Sequence, residues 1–402
     1  MRYPRRTVLP AVLITAALAT VIPAQPAAAL PPPGPGVPVW AADWMKSGSG
    51  NTNYDPGRAA ALRQARRFDV VIAHVGTYDN HAAAMKAANP NLRLFVYVQG
   101  MFSPKGGFPA RWYARNGNGG RIRDRHFGTY LMSPKSQGWR DNRLAECRRK
   151  LAASHYQGCF LDSLGPTGVS TESMTARPID PGTGRAYSRR SWLSATVKVA
   201  QRVRSAISPR PVLMNGLVDG SGYFNSAGRT EQLLNGATGG MSEAFIRPAR
   251  SGASAYKGRT AWKHDVNMLA DVGRRTSGGI AFAVTKVWSR ATSKQIASWH
   301  RYALGSFLLG YRPGHGYFQF RSHHQLTTPS AYEDVVLGPP TGAYVRVNGM
   351  YVRNFQRGKV IVNPTTSKHS IRLSRRFVDL SGIHRSGRIS LAPHTARILK
   401  HA

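Results

Sequence analysis

Two acidic residues stand out in a chain that has few. Asp162 closes the apolar part of Gly-Cys-Phe-Leu-Asp-Ser-Leu-Gly at residues 158–165, and Glu243 lies in Gly-Gly-Met-Ser-Glu-Ala-Phe at residues 239–245. In each, a short apolar run delivers a carboxylate to the place where a buried strand would give way to a loop. With 18 acidic residues against 56 basic ones, carboxylates so placed need a reason. A chemical reason exists. Cleaving a glycosidic bond takes two carboxyl groups: one attacks or steadies the cationic sugar carbon, and the other protonates the departing oxygen. The proton donor must keep its proton near neutrality, through burial or a like-charged neighbour. The plainer alternative is structural, with Asp162 capping the following turn and Glu243 pairing with a rim arginine.

Further polar side chains fall at the ends of apolar runs. Asp43, His74, Tyr97, Asn215 and Lys286 are candidates for contacting substrate, and Trp44 and Trp288 for stacking on sugar rings. Each could equally be a satisfied rim or core residue. His315, His323 and His324 have no zinc-type spacing, so no metal is expected. No Gly-x-Ser-x-Gly elbow marks a serine esterase, and no cofactor is expected.

Bringing residues 80 apart together requires a particular frame. Apolar runs at residues 37–42, 69–74, 92–98, 158–162, 211–214, 239–245, 279–287 and 316–320 read as eight strands. Helical segments at 56–67, 81–88, 140–154, 192–208, 230–234, 262–274 and 293–308 alternate with them. No Gly-rich phosphate loop follows the first strand, which favours a (β/α)8 TIM barrel over an open doubly wound sheet. In such a barrel the C-terminal strand ends surround one pocket. The Gly- and Arg-rich segment 100–134 is long enough to fold over the rim as a binding loop. The barrel is expected over residues 38–335. Short strands at 344–347, 351–354, 359–363, 370–373, 377–379 and 395–399 then make residues 340–402 a small C-terminal antiparallel β-sandwich domain.

The N-terminus reads as an export signal over residues 1–29. Arg2, Arg5 and Arg6 precede an apolar stretch at 8–22, and Ala27, Ala28 and Ala29 offer a cleavage site. A Pro-rich leader follows at 30–37, and no membrane span is expected after cleavage. A secreted location makes Cys147 and Cys159 a possible disulfide, although buried free thiols are also common. The net charge of +38 draws anionic surfaces towards the protein. Scattered basic residues without a nucleic-acid module exclude a nucleic-acid role and fit an anionic cell-wall or matrix polymer, or a solubility bias.

Several stretches together resemble the α-galactosidase-like and polygalactosaminidase-like barrel superfamily, most closely hypothetical glycosyl hydrolase family 15. They are Phe160-Leu161-Asp162-Ser163, Asn215-Gly216 and Ser242-Glu243-Ala244-Phe245. In the tail, Val352-Arg353-Asn354-Phe355, the Val-Ile-Val-Asn-Pro run at 360–364 and Val378-Asp379-Leu380-Ser381-Gly382 match as well. The resemblance runs from about residue 37 to the end. It implies a retaining mechanism with Asp162 as nucleophile and Glu243 as acid/base, and Asp43 on sugar hydroxyls. The expectation is therefore a secreted retaining glycoside hydrolase acting on an extracellular or cell-wall polysaccharide, with α-linked galactose- or galactosamine-type sugars among the substrates to test. The alternatives are a non-catalytic glycan-binding barrel and an exported hydrolase of an amide or ester bond.

Overall fold

The structure is a computed structural model and describes residues 36–43, 55–104, 106–275, 279–322, 325–326 and 331–402. The expected signal at 1–29, most of the Pro-rich leader, Trp44, His323 and His324 lie outside the described residues. Asp43 is described by its backbone alone.

Eight parallel strands form one sheet: β1 Trp40–Asp43, β2 Val70–Ala73, β3 Arg93–Gln99, β4 Gly158–Asp162, β5 Val212–Asn215, β6 Gly239–Ser242, β7 Ile280–Val287 and β8 Gly316–Ser322. They pair in chain order. The last returns to the first: the Phe318 N–H donates to the Pro38 carbonyl at 2.8 Å, and Val39 bridges Phe318 in parallel. The sheet is thus a nearly closed eight-stranded barrel. Among the described residues six helices of two turns or more lie between the strands: α1 Arg58–Arg67, α2 Ala82–Ala88, α3 Gln137–Ala152, α4 Arg189–Ile207, α5 Arg259–Val272 and α6 Ser293–Gly310. Ser136, Ser188 and Thr292 cap α3, α4 and α6 through their hydroxyls, supplying partners to N–H groups that the first turn leaves open.

The side-chain period of two fixes which residues enter the lumen. Trp40, Val70, Ile72, Phe95, Phe160, Leu213, Met241, Phe282, Val284 and Tyr317 pack as a cluster of their own inside the ring. Their chain neighbours Ala41, Val71, Leu94, Val96, Cys159, Leu161, Val212 and Met214 join the helices in the outer core. One step of two beyond Phe95, Phe160, Leu213, Met241 and Val284 come Tyr97, Asp162, Asn215, Glu243 and Lys286. The packed lumen therefore forms the floor beneath those five side chains.

Three segments depart from expectation. The sixth strand stops at Ser242 rather than running through Glu243 to residue 245. There the Ser242 hydroxyl and the Ala244 N–H both donate to the Val218 carbonyl, at 2.8 and 3.0 Å, and this turns the chain away from the sheet. The helix expected at 230–234 is a 3-10 turn, Thr230–Asn235, which follows a single α-helical turn at Gly220–Tyr223 in a connection that also holds Gly228 and Gly236, residues that weaken an α-helix. The long segment 100–134 has structure of its own. Phe102–Ser103 pairs antiparallel with Tyr130–Leu131 over a cluster of Tyr113, Met132 and Trp139.

Downstream, β9 Val345–Val347, β10 Met350–Phe355, β11 Gly358–Asn363, β12 His369–Arg372, β13 Phe377–Asp379, β14 His384–Arg385, β15 Arg388–Leu391 and β16 Thr395–His401 are antiparallel. They order as β9-β10-β11-β16-β13-β14 and β12-β15. β14 and β15 were not expected: β14 is two residues long, and in β15 only Ile389 and Leu391 mark an apolar alternation. Met350, Val352, Ile361, Leu373, Leu391 and Leu399 fill the space inside this domain. Its other face, Val360, Val362, Ala396 and Ile398, shares the barrel's outer core. A Cβ on Gly305 of α6 would come within 2.6 Å of Ala396, so the bare glycine lets helix and sheet meet.

Cys147 on α3 and Cys159 on β4 are joined as a disulfide with Cα atoms 6.2 Å apart. The bridge ties β4, which carries Asp162, to the helix before it.

Candidate active site

Four strands contribute one hydrogen-bonded group at the C-terminal mouth of the barrel. The Tyr97 hydroxyl of β3 donates to Asp162 Oδ2 at 2.7 Å. From β5, Asn215 Nδ2 donates both to Asp162 Oδ1 at 2.9 Å and to Glu243 Oε2 at 3.0 Å. The Lys286 ammonium of β7 pairs with Glu243 Oε1. Gln99 Nε2 donates in turn to the Tyr97 hydroxyl at 3.3 Å. Because one nitrogen reaches both carboxylates, those two oxygens can be no farther apart than the two bonds laid end to end, about 5.9 Å. Glu243 keeps 41% of its side-chain surface open to solvent, whereas Lys286 keeps 6%. A molecule in the mouth therefore meets the carboxylate before the ammonium beneath it.

The surroundings push the two acids in opposite directions. Burial, and then the charge of Glu243, raise the Asp162 carboxyl above its ordinary range, against hydrogen bonds from Tyr97, Asn215 and the Ser163 N–H. Burial also pushes Glu243 up, but Lys286, Asn215 and the buried Arg321 of β8 outweigh it, and the net direction is down. Tyr97 is held well above the ordinary phenol range by burial and by Asp162, so it stays a proton-bearing donor. Every partner of Asp162 named above is a donor, which suits an ionised carboxylate.

The loops leaving these strands are strained where they turn. Ser163, Val218 and Ile246 have φ of 64°, 65° and 67°. For the β-branched pair this left-handed backbone is uncommon and costs on the order of 1–3 kcal/mol each. A buried network offsets it. Asp265, fully buried on α5, accepts the Gly220 N–H at 2.7 Å, the Ile246 N–H at 3.1 Å and the Lys257 ammonium at 2.9 Å. Lys257 also donates to Asp219 and to the Ala244 carbonyl, at 2.9 and 3.0 Å. The loops after β5 and β6 are thereby clamped together on either side of Glu243. Gly100 lies so close to β4 that a Cβ there would be 2.3 Å from the Asp162 carbonyl.

Of the residues singled out in the sequence, Asp162, Glu243, Tyr97, Asn215 and Lys286 meet in one group. His74 stands beside it, its ring 4.8 Å from that of Tyr97. Trp288 does too, with the Lys286 ammonium 4.6 Å above its ring. The Lys286 ammonium, a candidate for contacting substrate, pairs with Glu243. The Asp43 backbone pairs with Ala73 at the same rim. Among the described residues no group of three or more metal-binding side chains occurs. Gln99 and Arg321 were missed as site residues. Gln99 shares the inward parity of Tyr97, and Arg321 falls one residue past the eighth strand's expected end.

No curated protein matches the chain in sequence. Among solved structures, the maltogenic α-amylase AmyB of Thermotoga neapolitana aligns at 9% identity and a TM-score of 0.51, covering 92% of this chain and 99% of that one. The GH36 α-galactosidase AgaA of Geobacillus stearothermophilus aligns at 12% and 0.50, covering 91% and 56%. The glycoside hydrolase domain of PelA from Pseudomonas aeruginosa aligns at 14% and 0.44, covering 72% and 98%. At these identities AmyB and AgaA share the barrel fold with this chain. In sequence, the profile of hypothetical glycosyl hydrolase family 15 matches residues 87–359. That span holds all five side chains of the mouth group, and the chain belongs to hypothetical glycosyl hydrolase family 15.

Proposed function

We propose that the protein is a secreted glycoside hydrolase that cleaves an extracellular or cell-wall polysaccharide with retention of anomeric configuration. The observation that carries this is Asn215 bonding to both carboxylates. It keeps one oxygen of each within about 6 Å of the other, which supports the close-set pair of retaining enzymes, about 5–5.5 Å, over the roughly 6.5–9.5 Å that leaves room for water in inverting ones. Asp162, held by donors and raised in basicity by burial, attacks the sugar carbon. Glu243, on the open side, protonates the leaving oxygen and then draws a proton from the water that releases the sugar. The surroundings favour charge on Glu243 over charge on Asp162, the reverse of the arrangement that the first step uses. A carboxyl with a depressed pKa is, once protonated, a strong acid towards the leaving oxygen. The Cys147–Cys159 disulfide supports an oxidising, extracellular setting, and no helix among the described residues is long and apolar enough to cross a membrane.

Aryl glycosides in both anomeric forms, α-galactosides first, test this. Asp162→Asn should abolish turnover. Glu243→Gln should lower kcat by about 100- to 10,000-fold, and by less for nitrophenyl leaving groups, which need little protonation. Equal activity in all three proteins would refute the assignment. The Lys286–Glu243 ion pair favours a second reading, a barrel that holds glycan without cutting it. That reading requires glycan binding with no turnover in the unaltered protein.

A further inference from the structure

Phe127 is the most exposed large hydrophobic residue among those described, with 76% of its surface open. A lone exposed apolar side chain is ordinary, but three features set this one apart. First, it is held outward by a built turn. The Asp124 carboxylate accepts the N–H groups of His126 and Phe127 at 2.8 and 2.6 Å, and the His126 ring stands edge-on to Phe127 at 4.4 Å.

Second, contacts lead from this turn to the carboxylates. The Arg125 N–H donates to the Ser173 carbonyl at 2.8 Å, and its Nε to the Met174 carbonyl at 2.9 Å, both in the loop after β4. Arg250, in the loop after β6, donates to His126 Nε2 at 3.1 Å. The neighbouring Ala249 carbonyl accepts the Trp288 backbone N–H at 2.9 Å. The Trp288 ring lies under Lys286, which is paired with Glu243.

Third, the surrounding charge is positive and uncompensated. Residues 100–134 contain six Lys and Arg and a single acid, Asp124, whose carboxylate is occupied in the turn. Arg115, Arg121 and Arg125 donate to backbone carbonyls, and no ion pair among the described residues includes them or Arg250. Glu172, next to Ser173, is an exposed acid.

An aromatic face takes the C–H side of a pyranose ring, and guanidinium groups take carboxylate or sulfate oxygens. We propose that Phe127, Arg125 and Arg250 form an outer subsite for an anionic polysaccharide, holding charged sugar units of the chain whose cleavage is assigned to the barrel mouth. The subsite rests on that assignment only for its orientation towards the carboxylates.

Titration calorimetry with polygalacturonate, hyaluronan, neutral dextran and poly-L-glutamate tests it. Polygalacturonate or hyaluronan should bind at low salt and weaken as salt approaches about 0.3 M. Dextran and polyglutamate, lacking the charge or the ring, should bind at least tenfold more weakly. Phe127→Ala should lose tenfold or more in affinity for the anionic polysaccharide, and Phe127→Trp should keep it. Arg125→Gln with Arg250→Gln should lose affinity and flatten the salt dependence. Arg346→Gln, which removes one exposed charge from β9, should change affinity less than twofold. Unchanged affinity in Phe127→Ala, dextran binding equal to polygalacturonate, or no binding of either anionic polysaccharide would overturn the proposal. Aryl glycoside turnover reports on the cleavage assignment separately: Phe127-dependent binding in a protein without turnover would keep the subsite and remove the glycosidase.

Discussion

At the scale of single residues, the site depends on how its surroundings push two carboxyl groups in opposite directions. Lys286 is the group that most disfavours a proton on Glu243, since its ammonium pairs with Oε1 and leads the effects that lower this carboxyl. Removing it has a definite sign. In Lys286→Met the Glu243 pKa rises. If Glu243 is the general acid, the basic limb of the kcat/KM profile, which follows the acid in the free enzyme, must shift to higher pH. A limb that stays in place or shifts to lower pH would show that another group donates the proton. Asp162 and Glu243 were legible in the sequence because each ends a short apolar run. The bond between Asn215 and both of them was not, because a hydrogen bond across three strands depends on shear and stagger that no local pattern records.

At the scale of elements, the barrel was largely legible and its connections less so. Eight apolar runs of the right length gave eight strands, because strands buried on both faces read as continuous apolar sequence. Strand ends were misjudged where side chains intervene, as when Ser242 and Ala244 turn towards the Val218 carbonyl and leave Glu243 outside β6. The clamp beneath that turn could not be read at all: Lys257, Asp219 and Asp265 look like ordinary surface charges in sequence, yet Asp265 is fully buried. Its loss should be severe. Asp265→Ala leaves the Gly220 and Ile246 N–H groups without an acceptor and takes from the Lys257 ammonium one of its two carboxylates, which costs about 3–5 kcal/mol, and chemical denaturation should register it. A change below about 1 kcal/mol would mean that the loops after β5 and β6 are held by other contacts.

At the scale of the molecule, the C-terminal sheets are part of the barrel's own core. Arg353 of β10 donates to the Leu308 and Tyr311 carbonyls at 3.0 and 2.7 Å, satisfying groups left open at the end of α6. Gly305 lets Ala396 approach the same helix. Gly305→Leu should force sheet and helix apart and cost at least about 1–3 kcal/mol, lowering the thermal midpoint. An unchanged midpoint would mean the two parts meet loosely. The change from alternating helices and strands to short strands near residue 340 was visible in the sequence. The shared core was not, since nothing in the composition of α6 tells which of its faces meets a second sheet.

The central claim is that Asp162 and Glu243 act on one sugar carbon as a nucleophile and an acid/base. Proton NMR of the sugar first released from an aryl glycoside that the protein cleaves tests it most directly. The initial product should carry the anomeric configuration of the substrate and then mutarotate. Initial release of the opposite anomer would contradict double displacement and point instead to direct attack by a water molecule activated by one of the two carboxylates.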